Sequence, residues 1–348
     1  MTEIAVTDRS GAHAAFVAQP GERLLQAGLA AGLGLPYECA SGTCGSCRAT
    51  LTEGEVENLW DASPGRKLCR RPGEILMCQS AAVRGPVGLG LPSALRGGGA
   101  PASATRRGRL SEFRRLTAEI GTFSVELEAP LDHQPGQFML LSAADIRGPR
   151  AYSMTGYAPG ERRLDFLARL KPDGGLTPRL FANALHGQSV ELFGPLGRAT
   201  LRDGDDRPFV AAAGGSGIAG ILSIVEAALA RDHFVRQPSE IVFGLRRMEG
   251  SYLLDRLSHA VRRAAGGLSV TVALSDEEPD AAFCAAHPEL SFASGLVHEV
   301  LRRSLEARAK PEAIHFLAGP PAMVDAAMRM LVIDAKVSPG EIRFDRFG

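Results

Sequence analysis

Cys39, Cys44 and Cys47 share one short loop, and Cys78 follows Cys47 after thirty intervening residues. Five of the six cysteines fall between Cys39 and Cys78. A chain of 348 residues can bury enough core to do without a disulfide framework, so clustered thiols read first as metal ligands. The C-x4-C-x2-C…C spacing lets three thiolates from a tight loop and a fourth from a distant segment close on two sulfide-bridged irons, a [2Fe-2S] cluster. Gly42 and Gly45 permit the turns and bring backbone N–H groups near sulfur, where they stabilise an electron-rich centre. The alternative is a single zinc, which usually takes paired C-x2-C knuckles, and no second pair is present. A Rieske centre needs two histidines, and none lies between Ala14 and Gln79. Cys69 is the rival for fourth ligand; otherwise Cys69 and Cys284 read as ordinary thiols.

A second constellation suits a dinucleotide. The apolar run from Phe209 enters the turn Gly214, Gly215, Ser216, Gly217 and continues to Gly220. This formally fits G-x-G-x-x-G, in which glycines let a backbone approach a pyrophosphate at a helix start. The acid expected about twenty residues on is misplaced, because Glu240 begins the next strand rather than ending it. Arg246 and Arg247, after that strand, offer cations for a 2′-phosphate. Asp276, Glu277 and Glu278, after the following strand, disfavour one and suit ribose hydroxyls, so NADH is expected over NADPH.

The elements that must position these residues fall into three patterns. Residues 3–7 and 13–18 alternate around a turn, Leu24–Ala31 fits a short helix, and strands fit near 48–53 and 74–79, a compact α+β unit. Residues 92–108, rich in Gly, Pro, Ala, Ser and Arg, read as a linker. Strand-like segments at 122–129, 137–142, 163–170 and 189–192, with one helix at 177–185, suggest a small antiparallel barrel. From 206 onward, strands at 208–213, 240–245, 268–274, 313–318 and 341–344 alternate with helices at 217–231, 251–264, 294–308 and 321–333. That is the signature of a parallel sheet. The expected domains are therefore 1–91, 109–205 and 206–348. Thirty-nine basic and thirty-nine acidic residues cancel, which removes a bulk electrostatic drive toward nucleic acid or anionic membrane. The N-terminus has Asp8 and Arg9 where a signal peptide needs an apolar run. The apolar stretch from Phe209 to Ala230 holds four glycines and Glu226, a poor membrane span. A cytoplasmic monomer is expected.

The cysteine pattern resembles the plant-type ferredoxin domain that opens many flavin-dependent oxygenase reductases, and the resemblance extends over essentially the whole chain. It implies a β-grasp ferredoxin domain, an antiparallel β-barrel for FAD and an α/β nucleotide domain. The string Arg150-x-Tyr152-Ser153, followed by Gly174, Gly175, Leu176 and Thr177, resembles the flavin motifs of the ferredoxin–NADP reductase superfamily. There the arginine pairs with the FAD pyrophosphate, the tyrosine packs on the isoalloxazine, the serine lies near flavin N5, and the Gly-Gly-Leu-Thr turn opens a helix toward the pyrophosphate. Phe166 to Leu170, with Leu167 and Arg169, matches the strand that lines the flavin, and Gly194-Pro195-x-Gly197 matches a barrel-closing turn. Gly214 to Gly217 matches the superfamily's glycine turn, except that Gly220 replaces the usual proline. Ala318, Gly319 and Pro320 match an element lying against the nicotinamide, with alanine where cysteine is usual. Phe347 is the candidate for the terminal aromatic that shields the flavin.

The resemblance implies an NAD(P)H-dependent oxidoreductase, the reductase component of a bacterial aromatic-ring or hydrocarbon oxygenase. Hydride goes to FAD and single electrons leave through the [2Fe-2S] cluster to an oxygenase component or its ferredoxin. The cofactors carry the chemistry, so no side chain need act as general acid, base or nucleophile. Two other readings stay open: the same architecture serving a non-oxygenase acceptor, and a cluster-based redox sensor.

Overall fold

The computed structural model describes residues 1–95, 103–307 and 312–347. These divide into two compact units. One takes the described residues of Met1–Arg107 with Met139–Ala151 and Ser189–Leu196; the other takes Gly108–Phe138, Tyr152–Gln188 and Gly197 onward.

The N-terminal sheet is built from β1 (Thr2–Asp8), β2 (His13–Ala18), β3 (Arg48–Asn58), β4 (Glu74–Leu76) and β5 (Ser80–Leu91), in the order β2-β1-β5-β3-β4. β1 runs parallel to β5, while β1–β2, β3–β4 and β3–β5 are antiparallel. This is the expected β-grasp. Helix α1 (Leu24–Ala30) buries Leu24, Leu25, Ala27 and Leu29. Gly28 lets it approach closely, because a Cβ there would stand 2.4 Å from Leu35 Cδ1. The carboxylate of Asp8 closes the β1–β2 turn by accepting from Ser10 and Ala12, and its second oxygen accepts from the Leu95 N–H at 2.7 Å. These bonds, led by the Ser10 hydroxyl, lower its pKa to about 2.

One expectation needs correction here, and one strand was missed. The strand expected at 74–79 stops at Leu76, and Met77–Gln79 forms a 3-10 turn that carries Cys78. The central strand β5 was not expected, because Gly85, Pro86, Gly88 and Gly90 break its alternation. Those glycines serve close pairing, since a Cβ on Gly88 would lie 2.6 Å from Thr52 Oγ1 and the β3–β5 register shifts repeatedly.

The second sheet comprises β6 (Ala104–Arg115), β7 (Ile120–Leu131), β8 (Phe138–Ala143), β9 (Arg150–Ser153), β10 (Glu161–Arg169) and β11 (Ser189–Leu196), ordered β10-β7-β6-β11-β8-β9. β7 is antiparallel to both β6 and β10. The expected linker 92–108 is shorter than its composition suggested. Residues 96–102 lie outside the described residues, and β6 has begun by Ala104. Ser103 donates to the carbonyl of Pro195 at 2.9 Å and Arg106 to that of Gly194 at 3.1 Å, so this segment is tied to the end of β11. The helix expected at 177–185 is only α2 (Thr177–Phe181), with turns beyond it.

The third sheet contains β12 (Phe209–Gly214), β13 (Ser239–Leu245), β14 (Leu268–Leu274), β15 (Ser291–Ser294), β16 (Ile314–Gly319) and β17 (Ile342–Arg346), all parallel, ordered β15-β14-β13-β12-β16-β17. The helices are α3 (Ile218–Ala230), α4 (His233–Arg236), α5 (Leu254–Arg263), α6 (Ala281–Ala286), α7 (Val297–Ala307) and α8 (Pro321–Arg329). Strand alternation splits the core between the two faces. Phe209, Ala211 and Ala213 join residues of α3 and α5, whereas Val210 and Ala212 join residues of α7 and α8. No helix among the described residues is long and apolar enough to cross a membrane.

Candidate functional site

Cys39, Cys44, Cys47 and Cys78 come together as two pairs. Cys47 and Cys78, both buried, bring their sulfurs to 3.2 Å. Cys39 and Cys44 face each other across the loop, where each backbone N–H points at the other's sulfur, at 3.5 and 3.4 Å. The N–H groups of Ser41 and Ser46 add donors to Cys39 and Cys44, each at 3.5 Å. The loop achieves this with positive φ at Gly42 (+93°) and Gly45 (+71°). The Cys44 thiol first, then neighbouring donors, pull the Cys39 thiol down, while Cys39 and burial push the Cys44 thiol up, the behaviour of two sulfurs sharing one proton. Among the described residues no three His, Cys, Asp or Glu converge on one point. Two thiol pairs suit two irons better than one zinc. Cys69 is half-buried beside Arg66, Glu74 and Arg48 and belongs to neither pair.

Of the nine buried side-chain polar atoms without a partner among the described residues, four lie in this module. Both ends of the Gln79 carboxamide, Arg23 Nε and Ser63 Oγ are buried without a hydrogen-bond partner. Burial lowers the pKa of Arg23, and the charge of Cys78 opposes that effect. Native folds rarely strand such groups, so an electron-rich centre held by the four thiolates fits them. Sequence reasoning missed Arg23 and Gln79; the only signal was that Gln79 directly follows Cys78.

The flavin candidates divide between the two units. Arg150 Nη1 donates to the carbonyls of Arg147, Gly148 and Pro149 at 3.1, 3.1 and 3.2 Å, and its guanidinium lies 5.7 Å from the ring of Trp60. It has no carboxylate partner among the described residues, which leaves its charge available to a pyrophosphate. Trp60, the only tryptophan of the chain, was not anticipated at this place. In the other unit, Tyr152 packs edge-on against Phe123 at 5.0 Å, and Phe123 stacks on Phe166 at 5.1 Å, an aromatic wall fit for an isoalloxazine. Ser153 and Leu167 are buried. Arg169 is instead engaged on the surface by Glu119 at 2.9 Å. Gly174 and Gly175 precede buried Leu176 and Thr177, whose hydroxyl accepts from Lys171 N–H at 2.9 Å. The short α2 offers less free helix terminus than the sequence suggested.

The two nucleotide motifs pack directly together. A Cβ on Gly217 would meet the Ala318 carbonyl oxygen at 2.3 Å, and one on Gly319 would meet the backbone of Gly214 at 3.1 Å. Gly215 has φ +54° and open space above it, a cradle whose floor is backbone. Ser216 lies in the same turn, and Pro320 caps α8. The unusual Gly220 has room for a Cβ, which would lie 3.7 Å from Ser153 Cβ and 3.4 Å from Gly136 O, so the glycine turn abuts the flavin strand. Phe347 donates its N–H to Gly319 at 3.0 Å and turns its ring edge-on to Phe138 at 6.5 Å. Arg246, 80% exposed, is held by Asp276 at 3.6 Å rather than standing free.

The sequence matches three family descriptions in order: a 2Fe-2S iron-sulfur cluster binding domain at residues 8–83, an oxidoreductase FAD-binding domain at 107–201 and an oxidoreductase NAD-binding domain at 212–329. It is 33% identical to the ferredoxin–NAD(+) reductase component of the alkene monooxygenase system of Xanthobacter autotrophicus, over 95% of this chain and 97% of that protein. It is 31% identical to a ferredoxin–NAD(P)(+) reductase of Metapseudomonas resinovorans, over 94% and 95% respectively. The solved ferredoxin reductase of carbazole 1,9a-dioxygenase superposes with a TM-score of 0.80 at 28% identity, covering 99% of this chain and 98% of that one. With its paired thiols, aromatic wall and glycine cradle in one polypeptide, the chain belongs to the NAD(P)H-dependent iron–sulfur flavoprotein reductases that serve as ferredoxin–NAD(P)(+) reductase components of oxygenase systems.

Proposed function

We propose that this reductase draws electrons from NADH in preference to NADPH and delivers them singly to an oxygenase component or its ferredoxin, in the breakdown of an aromatic or other hydrocarbon. When bound, FAD accepts the electron pair of a hydride and the [2Fe-2S] cluster passes one electron at a time. The side chains hold, orient and tune. Cys39, Cys44, Cys47 and Cys78 ligate the cluster. Arg150 neutralises the FAD pyrophosphate, with Gly174, Gly175, Leu176 and Thr177 forming the neighbouring turn. Tyr152, Ser153 and Leu167 line the ring, and Arg169 completes that strand. Gly214, Gly215, Ser216 and Gly217 receive the nicotinamide dinucleotide, whose reacting end lies toward Ala318, Gly319 and Pro320 under Phe347. Arg246 borders the ribose site, where its Asp276 partner speaks for NADH. These roles correspond to domains at 1–91, 109–205 and 206–348, in a cytoplasmic monomer.

The observation that carries this reading is the pairing of four thiols in the same polypeptide as a backbone cradle for a dinucleotide. The test is anaerobic titration of purified protein with NADH, followed by mixing with candidate oxygenase partners. Bleaching of both flavin and cluster bands, and NADH-dependent product formation only with an oxygenase, are expected. One zinc per chain without acid-labile sulfide, or electron delivery confined to non-oxygenase acceptors, would overturn it.

A further inference from the structure

Gln79 is 1% exposed, yet neither its Nε2 nor its Oε1 has a hydrogen-bond partner. Its backbone carbonyl accepts from Leu59 N–H at 2.8 Å, and the residue closes the 3-10 turn carrying Cys78. Both ends of its carboxamide stay unpaired. That carboxamide lies against the cysteine loop: a Cβ placed on Gly42 would stand 3.0 Å from both Cγ and Nε2 of Gln79 and 3.2 Å from Cδ. The missing side chain of Gly42, between Cys39 and Cys44, is therefore what admits the amide. A buried amide that touches the loop from one side and adjoins Cys78 along the chain is held where sulfur acceptors gather.

We propose that the Gln79 side-chain N–H donates a hydrogen bond to a sulfur of the iron–sulfur centre and thereby sets its reduction potential. The inference rests on the four-cysteine ligand set proposed above. The sulfurs of such a centre only accept, so the amide presents nitrogen rather than oxygen. Reduction adds one negative charge to the sulfur-rich centre, and a donor aimed at it favours the reduced form. Gln79 is thus a tuning residue and takes no part as a ligand. Its contribution adds to that of the backbone donors at Ser41, Cys44 and Ser46.

The test is potentiometry followed by EPR on the full chain, comparing wild type with Gln79→Met, which keeps length and removes the donor. The potential is expected to fall by about 59 mV, a tenfold change in the one-electron equilibrium. An unchanged potential in a variant with full iron and sulfide overturns the proposal. A second measurement needs no variant. Reduced wild-type protein labelled with 15N at the glutamine side chains should show a 15N coupling to the cluster by pulsed EPR. Its absence overturns the proposal even if Gln79→Met fails to assemble a cluster. Failure of the ligand set is separately visible, as wild-type protein lacking two irons and acid-labile sulfide.

Discussion

The Cβ that Gly217 lacks would stand 2.3 Å from the carbonyl oxygen of Ala318 and 2.6 Å from its carbonyl carbon. Two segments a hundred residues apart thus meet through bare backbone, and the nucleotide cradle exists only while they touch. Gly217→Ala must displace one or the other, a form of overpacking worth about 1–3 kcal/mol. A lower thermal midpoint and a raised KM for NADH are expected from thermal unfolding and steady-state kinetics. A variant matching wild type in both would mean that the turn moves freely away from Ala318.

Nucleotide choice is expected to hang on Asp276. Its carboxylate holds Arg246 at 3.6 Å and accepts from the Ser275 hydroxyl at 2.6 Å. An exposed ion pair of this kind adds little stability, so its removal leaves the fold intact. Asp276→Asn should release Arg246 toward a 2′-phosphate and shift the NADPH-to-NADH ratio of kcat/KM about tenfold toward NADPH, the scale of one charge-assisted contact. Steady-state assays with ferricyanide measure the ratio directly. No shift would place the 2′ position of the ribose elsewhere.

Acid sensitivity should include a contribution from His315 on β16. The residue is 5% exposed, and burial lowers its pKa from 6.5 to about 4. An unfolded chain takes up this proton below about 6.5, whereas the native chain resists until about 4. The stabilising contribution is therefore whole above about 6.5, falls as pH drops through that window and is gone below about 4. The full span amounts to about 3 kcal/mol. The thermal midpoint of wild type should therefore fall relative to that of His315→Leu as the pH drops through this range, because the leucine has no proton to gain. Parallel curves would show that His315 charges without cost.

Arg150 is expected to govern flavin retention. It has no carboxylate partner among the described residues, and its guanidinium is propped by three carbonyls and the Trp60 ring. A charge-assisted contact to a pyrophosphate contributes roughly 1.5–3 kcal/mol, so Arg150→Ala should weaken FAD binding at least tenfold with iron content unchanged. Unaltered flavin affinity would move the pyrophosphate away from β9.

What could be read from the sequence follows from the range of the constraint behind it. Cys39, Cys44 and Cys47 were recognisable because their spacing is set by the reach of one short loop. The glycine turn at 214–217 and the strand–helix alternation after it are also local patterns. Strand β5 was hidden, because Gly85, Pro86, Gly88 and Gly90 answer to bulges and to a neighbouring strand rather than to alternation. Arg23 and Gln79 were hidden for a related reason. A buried guanidinium and a buried carboxamide look like surface residues until the fold removes their partners. Arg246 was visible as a cation, but its pairing with Asp276 depends on how β13 and β14 line up.

The two halves of the electron path should separate by mutation at Cys47. Its sulfur pairs with that of Cys78 at 3.2 Å, so Cys47→Ser leaves one of the two thiol pairs incomplete. The remaining three thiolates cannot complete the coordination of both irons, and loss of the cluster is expected from iron and sulfide analysis. The aromatic wall of Tyr152, Phe123 and Phe166, and the cradle at Gly214–Gly217, belong to the other compact unit. Nucleotide binding should therefore survive, and flavin binding with it, because Arg150, though in the same unit as Cys47, is propped by the carbonyls of Arg147, Gly148 and Pro149 rather than by the thiols. NADH-dependent reduction of ferricyanide, an acceptor small enough to reach a flavin directly, should remain near wild type. Reduction of cytochrome c or of the protein acceptor should fall by most of its rate, because the one-electron exit is gone. The decisive comparison is the ratio of the two activities in the same preparation, which cancels any loss of folded protein. A Cys47→Ser protein shown to lack its cluster that still reduced its protein acceptor at the wild-type rate would place the exit elsewhere in the chain.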